Sequence, residues 1–138
     1  MKLLKFVLIC VLFCCTASSA QAKIGIFVEA QSKDYVGLKL KEKLLERLDL
    51  SDIFFNSVTE DNIKLKIYML TIDPDGDQKR TSYSLTWLID NSNCPNGFRY
   101  FYLGSQVGVC SEFNTDQTAQ EIIDGTKSIV DEVKKYFE

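Results

Sequence analysis

The chain has 138 residues, 46% of them hydrophobic, with 16 Lys and Arg, 19 Asp and Glu and no histidine, for a formal net charge of −3. That length suits one domain, and an acidic balance without any basic run excludes a surface built to displace cations from nucleic acid or anionic lipid. The missing imidazole excludes His-activated nucleophiles, His general bases and His-ligated metals, which leaves only carboxylate or lysine chemistry for catalysis.

The first segment has the order of a secretory signal. Lys2 and Lys5 precede the apolar run from Phe6 to Cys15, and small residues lead to Ala20-Gln21-Ala22. Cleavage after Ala22 is expected. A small residue does not stand before Cys15, where a lipidated cysteine requires one, so an anchor there is not expected. Removal of residues 1–22 takes three of the five cysteines, Cys10, Cys14 and Cys15, and leaves a domain over residues 23–138 with 14 bases against 19 acids, a net charge of −5. No stretch reaches the ~20 apolar residues of a membrane span. The expectation is therefore a periplasmic or secreted protein without stable membrane insertion.

Ile24 to Ala30 is short, apolar and β-branched, the pattern of a central strand. A helix is predicted from about Asp34 to Leu48 with Ser32 as its N-cap. Val36, Leu40, Leu44 and Leu48 step by four along one face, Leu38 and Leu45 widen the stripe, and charges fill the remainder. Ile53-Phe54-Phe55 suits a short edge strand. From Ile63 the period becomes two: Leu65, Ile67 and Met69 oppose Lys64, Lys66 and Tyr68 in a strand that ends at Asp73.

Asp73-Pro74-Asp75-Gly76-Asp77 has the alternating aspartates that open a calcium-binding EF-hand loop. The sixth position is Gln78 rather than glycine and the twelfth is Ser84 rather than glutamate, so the string is read as a turn. No metal or other cofactor is expected. The next strand, about Arg80 to Asp90, sends Tyr83, Leu85, Trp87 and Ile89 one way and Ser82, Ser84, Thr86 and Leu88 the other.

Two further strand segments follow, Phe98 to Leu103 and Gln106 to Cys110, with Phe98, Tyr100 and Tyr102 on one face read as core. Cys94 and Cys110, the two cysteines left after cleavage, are expected to form a disulfide. A straight strand between them would span roughly 50 Å, and bonded Cα atoms sit about 5 to 6 Å apart. The chain must then reverse, at Asn96-Gly97 or at Gly104-Ser105. Ala119, Ile122, Ile123, Thr126, Ile129, Val130 and Val133 recur at three and four, predicting a closing helix capped by Asn114 or Thr115.

The predicted fold is α+β, in the order β-α-β-β-β-α, with a mixed or antiparallel sheet and two amphipathic helices packed on one face. The other face would carry Lys64, Lys66, Tyr68, Ser82, Ser84 and Thr86 near one end and Leu70, Ile72 and Leu88 near the other. Of these, Lys64, Lys66, Tyr68, Ser84 and Thr86 are the candidate partner-binding residues. A half-apolar exposed face suggests a partner protein or a second copy, with edge loops as the equal alternative cover. Glu29, Asp90 and Glu112, at strand ends, are the only acids worth testing as a paired catalytic centre.

The strand IGIFVEA, the helix closing with Leu48, Ser51 and Phe54, the hairpin of IKLKIYMLTID and YSLTWLID, and the last amphipathic helix together resemble the N-terminal domain of TolB and, more loosely, the domains of LpoB and CsgG. The resemblance implies a non-enzymatic accessory role in the cell envelope, with another envelope or secreted protein as partner and no catalytic residues to carry over. The competing expectation, from the acidic charge and small exported domain, is a periplasmic inhibitor or immunity protein that binds a basic toxin or hydrolase.

Overall fold

The computed structural model describes residues 22–60, 64–90 and 99–134. The signal segment up to Gln21, Cys94 and the Asn96-Gly97 pair lie outside the described residues. The elements run β1 (Ile24–Gln31), α1 (Tyr35–Leu50), β2 (Phe54–Asn56), β3 (Leu65–Ile72), β4 (Arg80–Asp90), β5 (Tyr100–Ser111) and α2 (Thr115–Lys134). They form an α+β fold around a five-stranded sheet of order β2-β1-β3-β4-β5. β1 is parallel to β2 and β3, and the β3–β4 and β4–β5 pairs are antiparallel, so the sheet is mixed.

Alternation decides which face of each strand meets the helices. Ile26 and Val28 of β1, Leu65, Ile67 and Met69 of β3, and Leu85 and Trp87 of β4 are buried against Val36, Leu40, Leu44 and Leu48 of α1 and Ala119, Ile122 and Ile123 of α2. The period-four stripe of α1 is the buried one, and Leu38, which the sequence placed beside it, is exposed. The one indole N–H in this core donates to the Thr126 hydroxyl at 2.9 Å, and that hydroxyl donates to the Ile122 carbonyl at 2.7 Å.

The cap of α1 is Asp34 rather than Ser32. One Asp34 carboxylate oxygen accepts from the Gly37 backbone N–H at 2.6 Å, and the other accepts from the Thr71 hydroxyl at 2.8 Å. The cap thus also fastens the helix to β3. Ser32 lies outside the helix, its hydroxyl buried without a hydrogen-bond partner among the described residues. Glycine at position 37 follows from this closeness, since a Cβ there would stand 2.1 Å from the Thr71 hydroxyl oxygen.

The turn between β3 and β4 is built on Asp73. Its carboxylate accepts the backbone N–H groups of Asp75, Gly76 and Gln78 and the Gln78 side-chain amide, at 2.8 to 3.1 Å. These donors hold its carboxyl below the usual range, the Gln78 backbone N–H contributing most. Gly76 and Gln78 both take positive φ, 71° and 60°. An acceptor occupied by amides makes a turn, as the proline and glycine suggested.

The largest departure from expectation is β5. Tyr100 to Ser111 is one strand of 12 residues, with no reversal at Gly104-Ser105. β4, 11 residues long, offers hydrogen-bonding partners along nearly all of it. The irregularity at Gly104 is instead a bulge: Tyr102 faces Leu88 and Gly104 faces Trp87, leaving Leu103 as the extra residue. Register then carries Cys110 to the rung of Thr81, nine residues along β4 from Asp90. That is about 30 Å of strand.

Candidate binding surface

The helix-free face of the sheet is laid out in rows by strand register. One row runs Phe27, Lys66, Leu88, Tyr102; the next Glu29, Tyr68, Thr86, Ser105; then Leu70, Ser84, Val107; and last Ile72, Ser82, Val109. Lys66, Tyr68, Leu70, Ile72, Ser82, Ser84, Thr86 and Leu88 lie on this face as expected, but Lys64 does not join their rows, and Tyr102, read as core, stands on the face 64% exposed. The division into ends changes too. Antiparallel pairing sets Leu88 beside Lys66 rather than beside Leu70 and Ile72, and it sets Ser82 and Ser84 between the aliphatic residues.

The first row is a charged hub. Lys66 is only 8% exposed, and its ammonium sits 2.5 Å from both Glu29 Oε2 and Glu60 Oε1. It also stands over the rings of Phe27 and Tyr100, 5.7 and 5.1 Å from their centroids. Burial works against its charge, but the hydrogen bonds it donates to Glu29 and Glu60 prevail and raise its pKa. Glu60 is held below its ordinary value, chiefly by the hydrogen bond to Lys66, with Tyr100 and Arg99 adding to it. The Tyr100 hydroxyl donates to Glu60 Oε2 at 3.2 Å, and the Arg99 guanidinium lies 3.2 Å from the same atom and 3.8 Å from Asp90.

Lys66 presents no free charge to a partner; it ties β1, β3 and Glu60, from the connection between β2 and β3, together. Tyr68 and Thr86 lie in the second row and Ser84 in the third, all partly accessible. Lys64 is separate from them, on the rim of an apolar cavity of roughly 260 Å³ lined by Leu65, Ile89, Leu103 and Val130. Of the candidate acids, Glu29 finds Glu60 rather than Asp90 or Glu112. Glu112 follows β5 at the far end of the β4–β5 pair, its backbone N–H bonded to the Lys79 carbonyl at 3.0 Å. A carboxyl pair clamped on one lysine, with Glu60 pushed toward ionisation, is the opposite of a carboxyl poised to donate a proton.

The third and fourth rows form a shallow apolar groove of roughly 400 Å³. Leu70 and Ile72 make one wall, Val107 and Val109 the other, and Ser82 and Ser84 the floor. Val107 is 78% exposed and Val109 61%. The outer wall of the groove is also the edge of the sheet, since no strand among the described residues pairs with the far side of β5. Sheet edges are ordinarily blunted by shortness, proline or charge. β2, at the other edge, is blunted by its three residues. β5 has 12 residues without a charge or a proline. The sequence signal for this site was present as that uncharged run, but only strand order shows that it is an edge.

No family model matches the chain, and none of the curated proteins does. Among solved structures, the 1.65 Å structure of the hypothetical protein CT253 from Chlamydia trachomatis aligns with 83% of this chain and 98% of its own, at 10% identity and a TM-score of 0.41. A likeness of that size transfers neither fold nor function.

Proposed function

We propose that the chain is a non-enzymatic, exported accessory domain of the cell envelope that binds another protein chain through β5 and the groove beside it. The observation that carries this reading is the long, uncharged, unblunted edge strand flanked by exposed valines. An extended segment added there would gain main-chain hydrogen bonds from the edge and side-chain contacts from the groove, the mode known as β-augmentation. The signal-like first segment supports export. The resemblance to envelope domains supports an accessory role, and the clamped Glu29–Lys66–Glu60 cluster supports a structural use of the acids.

The test is a photo-crosslinking residue placed at Val107 and, as a control, at Lys41 on α1, in the full chain expressed with its own leader. Adducts from Val107 and none from Lys41 are expected. Adducts from Lys41 alone, or from neither position, overturn the reading. An adduct to a basic enzyme that disappears at high salt would assign the inhibitor role instead, because charge and not strand pairing would then hold the complex.

A further inference from the structure

We infer that the chain received by the β5 edge is a second copy of this one, joined antiparallel about a two-fold axis that passes through Gln106. The inference rests on the edge being the binding surface and adds the identity of the occupant.

The phase of the backbone comes first. The Glu112 N–H bonds to Lys79 of the β4 side, so by alternation Cys110, Gly108 and Gln106 turn their backbone groups toward β4, and Ser111, Val109, Val107 and Ser105 turn theirs outward. The Asp90 N–H bonds to Lys64 on the β3 side, which puts Tyr100, its β5 partner, in the outward set as well. A two-fold axis at Gln106 brings outward groups against outward groups. Val107 meets Ser105 of the second copy, Val109 meets Tyr102, and Ser111 meets Tyr100, with the bulged Leu103 passed over in each strand.

Charge then selects the partner. The neutral strand is bracketed by Arg99 before it and Glu112 after it. The same axis sets Arg99 of each copy opposite Glu112 of the other. Both are accessible: the Arg99 side chain is half exposed while touching Glu60 and Asp90, and Glu112, 3.6 Å from Lys39 and within reach of the Tyr35 hydroxyl, is more than a third exposed. Opposite charges at the two ends of one strand are self-complementary only in an antiparallel pair, and an isologous contact is the commonest closed assembly. The result would be one ten-stranded sheet whose two grooves lie on the same face.

Sedimentation equilibrium of the full chain, expressed with its leader and purified after export, should give twice the chain mass. Val107→Lys places a charge on the edge at a position already exposed, and it should return the mass to that of a monomer without changing the circular dichroism. Arg99→Glu and Glu112→Arg should each weaken the dimer by roughly ten-fold or more, since each change acts twice across the axis. Combining the two should restore the dimer, because the pair is then re-formed with its signs exchanged.

A dimer indifferent to Val107→Lys, or one that the double exchange fails to restore, overturns the two-fold pairing. A monomer at every concentration overturns it too. If that monomer still gives Val107 crosslinks to another protein, the edge remains a binding surface for a different chain; if it gives none, both readings fall.

Discussion

Gly37→Ala tests the packing of α1 on β3, because its sign runs against helix propensity. Alanine inside a helix is favoured over glycine by about 1 kcal/mol. Here the added methyl would stand 2.1 Å from the Thr71 hydroxyl oxygen, 2.7 Å from Thr71 Cβ and 2.8 Å from an Asp34 carboxylate oxygen. The helix must lift, and lifting it opens the Asp34–Thr71 hydrogen bond that ties its cap to β3. Overpacking costs about 1–3 kcal/mol, and losing a buried hydrogen bond to a carboxylate costs about 1.5–3 kcal/mol. After the propensity gain, a net loss of about 3 kcal/mol is expected. With an m-value of about 1.5 kcal/mol/M, the urea midpoint should fall by about 2 M. Thr71→Ala removes the nearest of the three atoms, so in its background the penalty of Gly37→Ala should shrink without vanishing. A Gly37→Ala protein as stable as wild type would refute the close approach and with it the placement of the Asp34 cap.

Two further outcomes follow from the charges and the thiols. Glu60 is held below its ordinary carboxyl pKa of 4.5, so its contribution to stability is complete above that value and is lost as pH falls through the lower folded value. Lys66 is raised above its ordinary 10.5, so its contribution is complete below that value and is lost only as pH rises past it. Thermal midpoints measured from neutral to acid pH should therefore fall below about pH 4.5 in wild type and fall less steeply in Glu60→Gln; parallel curves would dismiss the pairing. Cys110 is buried, which raises its thiol pKa and slows its reaction with alkylating reagents in the native state. Its rung lies about 30 Å of strand from Asp90, and the four residues from Asp90 to Cys94 reach at most about 14 Å. With residues 1–22 removed, Cys94 and Cys110 should both alkylate in denaturant without reductant, and a bridge between them found by mass spectrometry would require β5 to leave β4.

Much of the fold was legible because side-chain period reports backbone geometry directly. The stripe Val36, Leu40, Leu44, Leu48 and the alternation of Tyr83, Leu85 and Trp87 each name an element and its buried face without any knowledge of its neighbours. The short β2 was readable from Ile53-Phe54-Phe55 alone. The Asp34 cap was not, because Ser32 is an equally good local candidate and the choice is made by Thr71, 37 residues away. The Lys66 hub was half legible. Lys66 stands out in its strand, yet nothing in the sequence says that Glu29 and Glu60 converge on it, since one comes from a parallel neighbour and the other from the segment before β3.

By itself the sequence determined the element types, the helix-covered face, the exclusion of histidine chemistry and the open-face residues that β3 and β4 contribute, because all of these follow from periodicity and composition. Tertiary structure decided register, strand order and continuity. Register is what joined Leu88 to Lys66 and separated the Cys110 rung from the end of β4. Continuity made one strand of two, because a partner strand can carry a chain through Gly104-Ser105 that would turn if left unpaired. Strand order turned the uncharged run from Tyr100 to Ser111 into an edge that no other strand covers among the described residues. Hydrogen bonds between distant strands are not encoded in any local pattern, and that is why the binding surface became visible only when the sheet was assembled.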